Sequence, residues 1–78
     1  MEIRAVPRKV VLMSGTIEFA GNNIDCLVRD ISISKAALDV TNPHDIPERF
    51  ELVFKADGTR IPCHVVWRQG KQIGVVFD

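Results

Sequence analysis

This chain is poorly supplied with the residues that do chemistry, and it has no excess of either charge. Among 78 residues there are two cysteines, two histidines and one tryptophan, and the formal net charge is zero. Each shortage excludes something. A general nucleic-acid binder carries a clear basic excess to neutralise phosphates, so zero net charge argues against binding a nucleic-acid polymer. Cys26 and Cys63 stand alone in apolar runs, neither has a Cys-x-x-Cys partner, and His44 and His64 complete no zinc-ligand spacing. The expectation is two reduced, buried thiols and no metal. No apolar stretch reaches the length of a membrane span and the N-terminus has no apolar signal core. The chain therefore reads as soluble and cytoplasmic, without membrane insertion. Catalysis lacks its parts as well. His44 lies in a proline-rich stretch, Ser14 in a strand-like run, and no nucleophile has a legible base. The expected class is a non-catalytic binding module.

What is present is alternation. The hydrophobic content of 46% is that of a globular chain, and 78 residues make one small domain with a modest core. Residues 10–19 read as a long first strand, Gly21-Asn22-Asn23 as a tight turn, and residues 24–29 as the returning strand. Residues 36–40 make a short third strand, and residues 41–47, with two prolines, a loop. Phe50, Leu52 and Phe54 then alternate with Glu51, Val53 and Lys55, a half-buried strand. Asp57-Gly58 turns the chain into Ile61, Cys63, Val65 and Trp67, and Gln69-Gly70-Lys71 turns it into Ile73, Val75 and Phe77. Six short strands joined by hairpin turns predict an all-β fold, a small six-stranded antiparallel barrel with no long helix. Closure would also remove the exposed edges that so small a sheet must manage.

Two polar motifs interrupt this pattern. Arg4 and Arg8 form Arg-x-x-x-Arg ahead of the first strand, and Asp30-Ile31-Ser32-Ile33-Ser34-Lys35 carries an Asp-x-Ser core between the second and third. Guanidinium forks suit phosphate oxygens and the O6/N7 edge of guanine. A carboxylate accepts from guanine N–H groups, and a hydroxyl serves phosphate or base. Together the motifs look like two halves of a site for a small anionic guanine nucleotide. Each residue also has a plainer reading. Arg4 and Arg8 fit a solvated tail. Asp30 and Ser32 fit turns that satisfy backbone N–H groups, and Ser34 fits only such a turn. Trp67, on the alternating face of Val65, is either a core residue at the barrel rim or a stacking platform reinforced by Arg68. Arg29 fits an ion pair with a cross-strand acid, Gly74 a bulge or close strand packing, and His64 an outer face without a role.

The ordered set resembles the PilZ domain family: Arg4 to Arg8, then Asp30-Ile31-Ser32-Ile33-Ser34-Lys35, then Val65-Val66-Trp67-Arg68 with Gly74-Val75-Val76-Phe77. The resemblance covers essentially the whole chain and implies a six-stranded antiparallel barrel. It also implies binding of the bacterial second messenger cyclic di-GMP by a receptor that is not a catalyst, needs no cofactor and signals to an effector protein. By the same resemblance, Arg4 and Arg8 would hold phosphate and the guanine Hoogsteen edge, while Asp30 and Ser32 would contact a guanine and the adjacent phosphate. Residues 1–78 would be one domain, with 1–9 a flexible basic segment that orders over the ligand and 10–78 the barrel. The chain departs from the family pattern at Lys35, where the motif ends in glycine. Lysine there either accepts a left-handed backbone at roughly 1 kcal/mol, crowds the base, or brings an ammonium to a phosphate. An adaptor on the same fold that works without nucleotide is the alternative. An oligonucleotide-binding barrel is the weakest reading, since Trp67 is the one exposed-strand aromatic on offer.

Overall fold

The structure, a computed structural model, describes residues 10–78. Arg4 and Arg8, and with them the expectation for residues 1–9, lie outside the described residues. Six strands follow one another: β1 (Val10–Phe19), β2 (Asn22–Ile31), β3 (Lys35–Asp39), β4 (Arg49–Phe54), β5 (Arg60–Gln69) and β6 (Gln72–Phe77). Among the described residues the helical content is one 3-10 turn, Pro43–Asp45, capped by the Asn42 side chain, whose Oδ1 accepts from the His44 N–H at 3.3 Å. No helix among these residues is long and apolar enough to cross a membrane.

The strands close into an antiparallel barrel in the order β1-β2-β3-β6-β5-β4, with β4 returning to β1. Period-two alternation builds it. In β4, Phe50, Leu52 and Phe54 point inward while Arg49 and Glu51 face solvent. Ile17, Val28, Leu38, Leu52 and Ile73 are wholly buried, each contributing about 1.5–3 kcal/mol of transfer free energy. The polar face is laced by ion pairs that run across strands. Arg60 reaches Glu18 at 2.6 Å and Glu51 at 3.0 Å, and Lys55 reaches Asp25 at 2.9 Å.

Besides a shift in pairing between Val10 and Met13 on β1, three local features depart from plain alternation, and two of them shape the outer face. The pairing shifts between Val28 and Asp30 on β2, and again between Val65 and Trp67 on β5. A bulge of this kind adds a residue to one strand and re-aims the side chain beyond it. The expected common face of Val65 and Trp67 is thereby lost: Val65 is buried, while Val66 and Trp67 both face outward. The third departure is the first hairpin. Phe19 pairs with Asn22, so the turn is Ala20-Gly21, one residue earlier than the Gly-Asn-Asn signal indicates. Both turn residues have positive φ, +49° and +81°, as the favoured two-residue hairpin turn demands.

Candidate functional site

The register assembles a groove on the outer face. Asp30 pairs with Ala37, Ala37 with Gly74, and Gly74 with Trp67, one row across β2, β3, β6 and β5. Neighbouring strands lie about 4.8 Å apart, so the row spans roughly 14 Å. A carboxylate stands at one end, an indole at the other, and two of the smallest side chains lie between. The cavity over this row measures about 330 Å³ and is lined by Asp30, Ser32, Lys35, Ala37, Trp67 and Gly74, among others. Four residues singled out in the sequence (Asp30, Ser32, Lys35 and Trp67) thus share one wall-to-wall space.

The Asp-x-Ser motif forms the tight hairpin between β2 and β3. The Ser32 N–H donates to the Lys35 carbonyl at 2.8 Å, and the Lys35 N–H donates to Ser32 Oγ at 3.3 Å. Ser32 therefore does hold a turn, while its position on the groove rim is retained. Ser34 is a turn residue whose carbonyl accepts the Phe77 N–H at 2.8 Å, anchoring the loop to β6. Lys35 is the first residue of β3. Ala20 is the one non-glycine residue with positive φ among the described residues, so lysine at position 35 carries no left-handed strain. The tip residue Ile33 is 98% exposed; its apolar side chain stands beside the groove, and no periodic signal marked it.

The opposite wall is Trp67, 43% exposed. The five-membered ring of its indole lies over Gly74, where an added Cβ would collide with it. Gly74 is thus the close-packing glycine anticipated from the sequence, and the space it leaves is filled by tryptophan. Arg68 does not reinforce a stacking platform. Its Nη1 donates to the carbonyls of Pro43 at 2.5 Å and Ile46 at 2.7 Å, tying the β3–β4 loop to the end of β5.

A larger cavity, about 660 Å³, opens elsewhere on the barrel, and Asp25, Cys26, Leu27, Asp39, Lys55 and Lys71 contribute to its lining. Its charges are largely matched already. Lys55 holds Asp25, and Arg29 reaches Asp39 at 2.7 Å, which is the cross-strand pair expected for Arg29. The Arg29 hydrogen bond, helped by Gln72, holds the Asp39 carboxyl below the usual carboxylate range. Cys26 is 6% exposed, and burial pushes its thiol up to about 12; Cys63 is likewise buried and pushed up to about 12. Both cysteines are free, as expected. A thiol so placed is a poor nucleophile, because the thiolate is the reactive form. Among the described residues no cluster of His, Cys, Asp and Glu could hold a metal.

The family model for the PilZ domain matches residues 2–78. The chain belongs to the PilZ domain family. PilZ domains are generally non-catalytic receptors for cyclic di-GMP that act through effectors. Among curated proteins, no relative matches the chain. Sequence reasoning passed over His64, which turns outward in PilZ strand β5 and meets Asp78 Oδ1 through Nδ1 at 2.7 Å. Arg49 approaches the same carboxylate at 3.4 Å. Strand pairing brings these groups together: Arg49 lies opposite His64, and the Asp78 N–H donates to the Pro62 carbonyl at 2.8 Å beyond the Cys63–Phe77 pair.

Proposed function

We propose that this PilZ domain is a cytoplasmic bacterial receptor that binds cyclic di-GMP in the groove between Asp30 and Trp67 and relays its occupancy to an effector protein without catalysis. The observation that carries the reading is the cross-strand row, which puts Asp30, Ser32, Lys35 and Trp67 around one cavity. In this reading residues 1–78 act as one domain. Arg4 and Arg8 bring bidentate cations to phosphate and to the guanine Hoogsteen edge from the segment ahead of β1. Asp30 accepts from guanine N–H groups, and the Ser32 hydroxyl serves the neighbouring phosphate. Trp67 stacks on a base, a contact worth about 1–3 kcal/mol on alanine substitution. Lys35 adds an ammonium at the rim where a phosphate passes.

Isothermal titration with cyclic di-GMP, with GTP and cyclic GMP as controls, tests this directly. Selective micromolar or tighter binding supports the receptor; no heat up to about millimolar ligand sinks it. A second reading, an adaptor that works without nucleotide, is favoured by Ile33, an almost fully exposed apolar side chain at the motif's own tip. A partner retained equally by the wild type and by an Arg4→Ala/Arg8→Ala double variant would decide for the adaptor.

A further inference from the structure

We infer that Gly74 is a positioning residue of the ligand groove, acting through Trp67: by presenting no side chain it seats the indole against β6 and fixes its outer face as the wall on which a planar purine stacks. The inference rests on the receptor reading above and goes beyond it, since Gly74 itself offers a ligand nothing but backbone.

The indole is held from three directions. The shift in pairing between Val65 and Trp67 turns Trp67 from the core to the outer face. One residue later Arg68 ties the strand to the Pro43 and Ile46 carbonyls of the β3–β4 loop. Gly74 then pairs directly with Trp67, and the five-membered ring lies where any Cβ at position 74 would have to be. Directly opposed residues in a sheet carry their Cβ atoms only about 4.5–5.5 Å apart, so a side chain at 74 displaces the ring outward into the groove. With the ring seated, 43% of Trp67 remains exposed beside Ala37 and Val66. A stacking surface already in place costs less ordering on binding than one that must be assembled. An aromatic covering a strand glycine also stabilises the sheet by itself. The test must therefore separate seating the wall from holding the fold.

The experiment is a double-variant cycle read by calorimetric titration with cyclic di-GMP, alongside near-ultraviolet circular dichroism and thermal melting. Trp67→Ala is expected to weaken binding at least about fivefold, the low end for loss of a base stack. Gly74→Ala should weaken it by a comparable factor and alter the tryptophan dichroism. Added to Trp67→Ala, Gly74→Ala should have no further effect on affinity. Wild-type affinity in Gly74→Ala, or an equal loss from Gly74→Ala in both backgrounds, overturns the inference while leaving the receptor reading intact. Absence of binding by the wild type overturns both. Should Gly74→Ala fail to fold, acrylamide quenching of Trp67 in the wild type decides instead: shielding by cyclic di-GMP supports the seat, and unchanged quenching with binding intact refutes it.

Discussion

The larger cavity and the groove differ in what lines them. In the larger one, Lys55 is matched by Asp25 and Asp39 by Arg29 and Gln72, so an incoming ion would have to displace a partner already in place. The groove is half the volume, yet its lining combines a carboxylate, a hydroxyl, an ammonium and a half-exposed indole over a floor of Ala37 and Gly74. Recognition needs a few convergent polar groups and an apolar surface, and the smaller space has them. The barrel explains why. Two shifts in pairing fall in the strands that form the groove, beside two of the side chains that line it, Asp30 on β2 and Trp67 on β5.

If the receptor reading holds, the largest effect belongs to the cations of the Arg-x-x-x-Arg motif, Arg4 and Arg8. Arg8→Ala is expected to weaken cyclic di-GMP binding by about 1.5–3 kcal/mol, the range for hydrogen bonds to charged groups. Arg8→Lys should also lose affinity, because it keeps the charge and loses the fork. Calorimetric titration of both variants measures this; wild-type affinity in Arg8→Ala would remove the first half of the proposed site. Lys35 sharpens the comparison at the rim. An exposed ion pair contributes up to about 1 kcal/mol, so Lys35→Gly should weaken binding by no more than about fivefold and flatten its dependence on salt. Tighter binding by Lys35→Gly would mean that the side chain crowds the base instead.

The other region is tested by pH. Asp39 titrates below its ordinary range in the folded protein, chiefly through the Arg29 hydrogen bond, whereas in the unfolded chain it titrates near about 3.9. The folded state thus holds the proton less well than the unfolded state. The stability this supplies is present in full above the usual carboxylate range and is lost as pH falls through the depressed value. Melting curves should show Arg29→Ala less stable than the wild type at pH 7, with the gap narrowing on acidification toward pH 3. A gap that stays constant or widens would show that Arg29 stabilises the barrel by packing alone.

The sequence made these two regions unequally legible. Period-two alternation located all six strands, because burying Phe50, Leu52 and Phe54 on one face leaves β4 a single workable register. The Asp-x-Ser hairpin was legible because turn chemistry is local, and Ser32 and Lys35 close it within four residues. The shifts in pairing were not, since a bulge depends on which strand lies opposite. Alternation alone left Trp67 on the inner face with Val65. Arg68 was misjudged for the same reason: its acceptors, the carbonyls of Pro43 and Ile46, lie more than twenty residues away. The first turn moved because pairing of two ten-residue strands outweighs a left-handed Ala20, a cost of roughly 1–2 kcal/mol.

The smallest effect is the one most able to break the comparison. Lys55 and Asp25 are both well exposed, with side chains 47% and 84% accessible, and such a pair contributes within about 1 kcal/mol of stability. Lys55→Ala should therefore melt within a few degrees of the wild type and bind cyclic di-GMP with unchanged affinity, because the charge it removes was already matched on the barrel surface. Titration of Lys55→Ala beside Lys35→Gly puts one lysine from each region in the same assay. A loss of affinity confined to Lys35→Gly would show that a cation contributes through its position in the groove. A similar loss from Lys55→Ala would place ligand in the larger cavity and return the whole surface, matched charges included, to consideration as the binding face.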